Sequence, residues 1–421
     1  MTKPYSVLMG KAVRYAARLR GGGSALPGLF VEKIDRRFVP DTLATLSHGV
    51  VLISGTNGKT TTTKMVVELL ESQGLRVFTN RTGSNFSRGV AAALLGEVDT
   101  RGRLHADIAV LELDEAHAVH FVDAVPPAFS LLLNVMRDQL DRFGEIDTTA
   151  RMLEHIATAT TQTVVINRED PRLLNIAVKL DKKVAFYGLD PSLRILFPND
   201  DDLHGANTKI SKHPMADVVL ESIDGNATFV IDEKRVTTPL KLDGVYNIFN
   251  AAAAIALVRT IMGNNLDQSA LVERLAHVQP AFGRGEKLIV DGQSCELVLV
   301  KNPAGFRLGL HSFPPSGYAT MIAINDNYAD GRDMSWLWDV DFTSLKECGV
   351  AEVSGVRAYD MALRLQYDDV PVAHVDVDIS RALNGFLSHN KSKPKRIYCT
   401  YTAMLAIRRK LAKKTTVEDI S

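Results

Sequence analysis

Cysteine is scarce and scattered: only Cys295, Cys348 and Cys399 occur in 421 residues, and no two form a C-x-x-C pair. They supply neither a disulfide framework nor a thiolate zinc site, and they point to a reducing compartment. Excess charge is missing too. Lys plus Arg and Asp plus Glu both number 49, for a formal net charge of zero, which argues against a dedicated nucleic-acid binder. No apolar run reaches the roughly 18 residues that a membrane-spanning helix needs, and the first residues lack a signal-peptide core. A cytoplasmic location is the expectation. Internal repeats and long low-complexity tracts are also missing. What is present is an ordinary globular balance, 46% hydrophobic and 23% charged, in a chain long enough for two or three domains.

The stretch that organises the chain is Gly55-Thr56-Asn57-Gly58-Lys59-Thr60-Thr61, set between the apolar run 50–53 and a segment with helical spacing, Met65, Val66, Leu69 and Leu70. It reads as strand, turn and helix. Two glycines let the backbone wrap around phosphate oxygens, with amide N–H groups and the helix dipole directed at the anion. Lys59 adds a charge on the β and γ phosphates, and the Thr60 hydroxyl suits Mg²⁺. The usual P-loop has a further glycine where Ile53 stands, so a plain strand-to-helix turn is the alternative.

From residue 50 onward, short apolar strands at 50–53, 76–79, 108–113, 129–133 and 164–166 alternate with helical stretches. That pattern predicts a doubly wound α/β domain whose ligand lies beyond the carboxyl ends of its strands. Three clusters sit at such ends. Glu112 lies inside a strand, where a carboxylate needs a partner, either Mg²⁺ or a salt bridge. The stretch 134–144, with Asn134 and Asp138, suits nucleotide and substrate or a capped helix start. Arg81 to Asn85 suits a polar substrate or a loop. Residues 188–240 predict a small β-rich insertion, followed by an alanine-rich helix at 251–257. Residues 1–46 predict an N-terminal helical segment whose Lys11, Arg14, Arg18 and Arg20 meet solvent, anionic lipid headgroups or a partner. A boundary just after Glu286 separates a central domain, 47–287, from a second α/β unit, 288–421. There the polar loop 325–333 reads as catalytic or interfacial, and Trp336 and Trp338 bracket the approach to Asp339 and Asp341.

Taken together, the glycine-rich turn, the strand acid Glu112, Asn134 with the stretch 138–144, Asn247 to Ala251 and Phe282-Gly283-Arg284 resemble the ATP-dependent Mur ligase family. The motifs Lys301-Asn302-Pro303-Ala304-Gly305-Phe306, Asp330-Gly331-Arg332-Asp333 and Ser335-Trp336-Leu337-Trp338-Asp339 resemble, more narrowly, its MurT branch. Members of that branch are ligase-like subunits whose partner is a GatD-like glutaminase. Gln139 stands where amino-acid-adding members of the family have histidine, which is similar to the MurT branch. The shortness of the segment before residue 47 fits a lipid-linked substrate, which needs no UDP-binding domain. Many MurT-like chains carry a four-cysteine zinc ribbon, whereas 188–240 contains no cysteine, so no zinc is expected.

The resemblance implies a fold, an activity and a set of roles. The fold is a Mur ligase-like doubly wound ATP-binding domain with a small β insertion, followed by a smaller α/β C-terminal domain. The activity is amidation of the α-carboxylate of D-glutamate in the lipid II stem peptide, through an acyl phosphate, at the inner face of the cell membrane. It assigns Gly55 to Thr61, Asn250 and Arg284 to ATP, Thr60 and Glu112 to Mg²⁺, and Arg81, Asn85, Asn134 and Asp138 to substrate. Asp339 or, second, Asp341 would orient the glutaminase histidine as a triad acid does; capping of the next element is the plain alternative. A ligase joining an amino acid to a carboxylate, and a non-catalytic nucleotide-binding scaffold, are the competing expectations.

Overall fold

The computed structural model describes residues 4–19, 26–80, 87–137, 146–197, 213–239, 245–278, 284–313 and 315–415. They divide into two compact units, the second comprising the described residues from 284 onward together with Arg137 and residues 245–246.

The first unit opens with helices α1 (Pro4–Leu19), α2 (Leu26–Ile34) and α3 (Phe38–Leu43). Val7, Val31, Phe38 and Leu43 from these helices join one core with Val50, Leu52, Leu94 and Leu111. The described helices before residue 46 are therefore part of this unit and share its core. Each such aliphatic or aromatic side chain contributes about 1.5–3 kcal/mol on burial.

Next come β1 (Val50–Ser54), α4 (Lys59–Ser72), β2 (Val77–Thr79), α5 (Ser87–Glu97), β3 (Ile108–Glu112), α6 (Glu115–Ala124) and β4 (Phe129–Leu132). The strands β5 (Thr163–Asn167), β6 (Lys183–Leu189), β7 (Val218–Asp224), β8 (Asn226–Ile231) and β9 (Lys234–Thr238) follow. Every residue of β1, β3, β4 and β5 is buried, as helices on both faces of a parallel sheet require. The order is β2-β3-β1-β4-β5-β6-β7-β8-β9, parallel through β7 and antiparallel beyond it. The β-rich stretch expected at 188–240 is thus a continuation of the main sheet. Its burial alternates because one face is open to water.

Register decides what meets at the ligand edge. Ile53 is opposite Glu112, and Ser54 is opposite Leu132. The turn after β1, the end of β3 and the segment after β4 therefore emerge at one level.

The second unit is a sheet ordered β10-β11-β15-β12-β13-β14. Its strands are β10 (Arg284–Val290), β11 (Gln293–Leu299), β12 (Ala319–Ala323), β13 (Glu352–Ser354), β14 (Val375–Asp376) and β15 (Lys395–Cys399). β10 pairs with β11 from Arg284 onward, so residues 284–287 belong to this sheet. Cys295 and Cys399 are buried free thiols, and burial pushes Cys295 up to about 12.

Candidate active site

The turn after β1 is built for close approach. Gly55 has φ +136° and Gly58, the residue capping α4, has φ +87°, conformations that a Cβ would strain. A Cβ on Gly58 would also lie 2.7 Å from Oδ1 of Asn250, which comes from the helix Val245–Met262. Asn250 thus borders the turn, as expected of a residue sharing its ligand.

The turn is fastened to the segment after β4. Thr56 N–H donates to Asn134 O (3.1 Å), and Asn57 N–H donates to Asn134 Oδ1 (2.9 Å) while Asn134 Nδ2 donates back to Asn57 O (3.0 Å). Met136 N–H donates to Thr56 Oγ1 (3.0 Å), whose hydroxyl donates to Met136 O (3.2 Å). Asn134, expected among substrate-binding residues, holds the glycine-rich turn in shape through these bonds.

Lys59 opens α4 and is 6% exposed. Its ammonium donates to Gly55 O at 2.5 Å and lies 3.3 Å from Oε1 of Glu115, itself buried at the start of α6. One helix residue later, Thr60 Oγ1 donates to Oε1 of Glu112 at 2.9 Å. Asn80, just past β2, clamps the backbone of Glu112 from both sides: Nδ2 donates to Glu112 O (2.8 Å), and Glu112 N–H donates to Oδ1 (3.0 Å). Glu112 is therefore fixed at the strand end with its carboxylate on the Thr60 hydroxyl. The buried Thr61 hydroxyl has no hydrogen-bond partner among the described residues, a group that a phosphate oxygen would satisfy.

These residues fit a nucleoside triphosphate and a hard divalent cation. The turn provides backbone amides and a lysine, while Thr60 and Glu112 offer adjacent oxygens. Mg²⁺ held by one or two protein oxygens, with phosphates and water completing its shell, is the usual arrangement.

Beneath the turn, Asp170 anchors the segment carrying Asn134. It caps the helix Pro171–Lys179 by accepting from Arg172 and Leu173 N–H, and it accepts from Val135 N–H at 2.7 Å. Burial pushes its carboxyl up to about 6 against those three hydrogen bonds.

The second unit holds the other expected acids. Asp341 accepts from Thr343 N–H (2.8 Å) and Oγ1 (2.6 Å), at the entry to the short turn Thr343–Leu345. Burial pushes its carboxyl up, but those bonds, with Arg307 and Arg364, outweigh it and hold it low. Asp339 is exposed, and its carboxylate has no hydrogen-bond or ion-pair partner among the described residues; its backbone oxygen accepts from Arg307. The neighbouring Trp338 is half exposed and packs edge-on against Tyr367 at 5.1 Å.

The loop 325–333 is largely occupied in holding itself together. Asn325 Nδ2 and Asn327 Nδ2 donate to Thr402 Oγ1 (3.0 and 2.8 Å), and buried Asp330 accepts from Thr402 N–H (2.7 Å) at the start of the helix Tyr401–Leu411.

Arg81, Asn85 and Asp138 lie outside the described residues, as does the side chain of Arg284, the first residue of β10. Glu115, Asn80 and Asp170 carry parts of the site that sequence reasoning did not assign. Glu115 alone had a signal, an acid three residues past Glu112 at the end of β3.

Two family models match: the Mur ligase middle domain over residues 53–258 and the MurT ligase C-terminal domain over 299–404. The chain is 30% identical to the MurT subunit of lipid II isoglutaminyl synthase (glutamine-hydrolyzing) of Streptococcus pneumoniae, over 98% of this chain and 97% of the relative. It is 27% identical to the corresponding Staphylococcus aureus subunit, over 90% and 91%. Among solved structures, MurF of Acinetobacter baumannii aligns with TM-score 0.69 at 17% identity, covering 92% of this chain and 81% of that one. Mycobacterium tuberculosis folylpolyglutamate synthase complexed with ADP aligns with TM-score 0.65 at 16% identity, over 89% and 94%. These last two establish the fold, an α/β Mur ligase middle domain with a mixed sheet followed by a C-terminal α/β domain. With a 30% identical relative matched over nearly its whole length, the chain belongs to the MurT family of Mur ligases.

Proposed function

We propose that this chain is the synthetase subunit of a lipid II isoglutaminyl synthase, amidating the α-carboxylate of D-glutamate in the stem peptide with ammonia from a GatD-like glutaminase. The observation that carries the reading is the joined turn of Lys59, Thr60 and Glu112, in a chain that parallels a MurT subunit from end to end.

A carboxylate at neutral pH has no leaving group good enough for amide formation. Transfer of the ATP γ-phosphoryl group to a carboxylate oxygen makes an acyl phosphate; ammonia then attacks the carbonyl carbon and phosphate departs. Catalysis of such a transfer is mainly positioning and charge neutralisation. The amides at the start of α4, beyond Thr56 and Asn57 whose N–H groups Asn134 engages, face the phosphates, Lys59 exchanges Glu115 for phosphate oxygens, and Asn250 borders the nucleotide. Thr60 and Glu112 would hold Mg²⁺, which neutralises charge on the β and γ phosphates. Arg284 is assigned to nucleotide, and Arg81, Asn85 and Asp138 to substrate.

In the second unit, the unpartnered Asp339 is the better candidate for orienting the partner's histidine, because Asp341 is already engaged by Thr343. Exposed Tyr359, Leu363 and Tyr367, at i, i+4 and i+8 of the helix Ala358–Tyr367, continue the apolar surface around Trp338 and suit a partner subunit. Among the described residues no helix is long and apolar enough to cross a membrane; a cytoplasmic protein working at the inner membrane face accords with a lipid-linked substrate.

The test is product mass and ADP release with lipid II and Mg²⁺-ATP. Amide formed with ammonium, and with glutamine only when the glutaminase is added, is the expected result. Product formed only with an added amino acid would make the chain an amino-acid ligase, and ATP binding without turnover in every mixture would make it a scaffold.

A further inference from the structure

Helix α1 carries its apolar side outward. Its inner face, with Ser6, Val7 and Gly10 buried, packs on α2 and α5. Gly10 makes the close crossing possible, since a Cβ there would collide with Val31 and Leu95. Lys11 Nζ donates to Val98 O at 2.5 Å, and the Arg14 guanidinium lies against Gly96. Both cations thus sit at the carboxyl end of α5, where the helix dipole favours them, and they fix which side of α1 points away.

Among the described side chains, that outer side consists of Tyr5, Leu8, Met9, Ala12 and Tyr15, at i, i+3, i+4, i+7 and i+10, an arc of about 120°. Tyr5, Leu8, Met9 and Tyr15 are 52, 55, 47 and 68% exposed, and no charged residue lies among them. A helix packed on one side ordinarily turns its charged face to water. This one has a continuous apolar stripe there, framed by a tyrosine at each end.

Charge decides what covers it. The first 31 residues contain Lys3, Lys11, Arg14, Arg18 and Arg20 and no acid; Lys11 and Arg14 reach back to α5, but Lys3, Arg18 and Arg20 keep the segment's net charge positive without them, and the first acidic residue is Glu32. A second copy of the chain docked on this face would bring like charges together, whereas an anionic bilayer complements them. Aliphatic side chains bracketed by aromatic ones and accompanied by cations are the composition of helices that lie in a membrane interface.

We propose that α1 docks on the anionic surface of a lipid bilayer through Tyr5, Leu8, Met9, Ala12 and Tyr15, bringing the enzyme to a substrate anchored in that bilayer. The purpose rests on the lipid-linked substrate proposed above; the docking does not. The test is co-sedimentation of the full chain with vesicles of phosphatidylglycerol and phosphatidylethanolamine, against vesicles of phosphatidylcholine alone. Wild type should bind the anionic vesicles and lose binding in high salt, and the double variant Leu8→Glu, Met9→Glu should bind about tenfold more weakly. The same variant should amidate a water-soluble, short-chain lipid II analogue at the wild-type rate, which also reports that it is folded. Equal vesicle binding by wild type and variant, or none by wild type, overturns the proposal. So does a change in oligomeric state on substitution, which would show that a second copy covers the face. Vesicle binding without amidation of any lipid II form would overturn the proposed activity and leave the docking standing.

Discussion

Glu112 and Glu115 stand three residues apart and border the same turn, yet they touch different groups. Glu112 meets the Thr60 hydroxyl, whereas Glu115 neutralises Lys59 in a setting where both side chains are nearly inaccessible. Their amide variants should therefore fail differently. Glu112→Gln keeps the hydrogen bond but removes the charge that the proposed Mg²⁺ would meet, so turnover should fall on the order of 10²–10³-fold with little change in thermal stability. Glu115→Gln leaves a buried ammonium without its counter-charge, a loss of about 3–5 kcal/mol in the nucleotide-free protein. Phosphates would replace that carboxylate, so the gap in Tm between Glu115→Gln and wild type should narrow with saturating Mg²⁺-ATP. A gap that stays constant on titration would mean that Lys59 does not transfer to the nucleotide. The Lys59–Glu115 pair was not legible in the sequence, because a contact between residues 56 apart depends on the register that sets β1 beside β3.

At the level of elements, the segment after β4 links nucleotide turn and sheet: Asn134 and Met136 bind the turn, and Val135 is held by Asp170. The folded protein keeps the Asp170 proton up to about pH 6, while the unfolded chain releases it near 3.8. Its contribution is therefore fully present below about pH 4 and is lost as pH rises through 6. Thermal unfolding across pH 4–7 should show wild type losing stability relative to Asp170→Asn as pH rises; parallel curves would contradict the assignment. The parallel strands β1, β3, β4 and β5 were legible because burial on both faces makes them runs of apolar residues. Two-residue β14 has too little pattern to read, and β10 opens with Arg284-Gly285-Glu286-Lys287, which resembles a loop until β11 pairs with it. In the loop 325–333, polar composition suggested chemistry, whereas Asn325, Asn327 and Asp330 are occupied by Thr402, 72 or more residues away. The outward apolar face of α1 was likewise hidden: periodicity finds a stripe but does not say which side it faces.

For the whole molecule, the proposed labour is divided between the units: phosphoryl chemistry on the P-loop of the first, and completion of a partner's glutaminase site by the second. Asp339→Asn should lower glutamine-driven amidation on the order of a hundredfold or more and leave ammonium-driven amidation unchanged; equal loss in both assays would refute the role. Activation of a carboxylate by ATP is the claim on which the rest depends, and oxygen transfer tests it most directly. Lipid II carrying ¹⁸O in the D-glutamate α-carboxylate would be incubated with the chain, Mg²⁺-ATP and ammonium, and the released phosphate analysed by mass. An acyl phosphate predicts one ¹⁸O in phosphate for each amide formed. Phosphate released without label, or amide formed without phosphate, would contradict it.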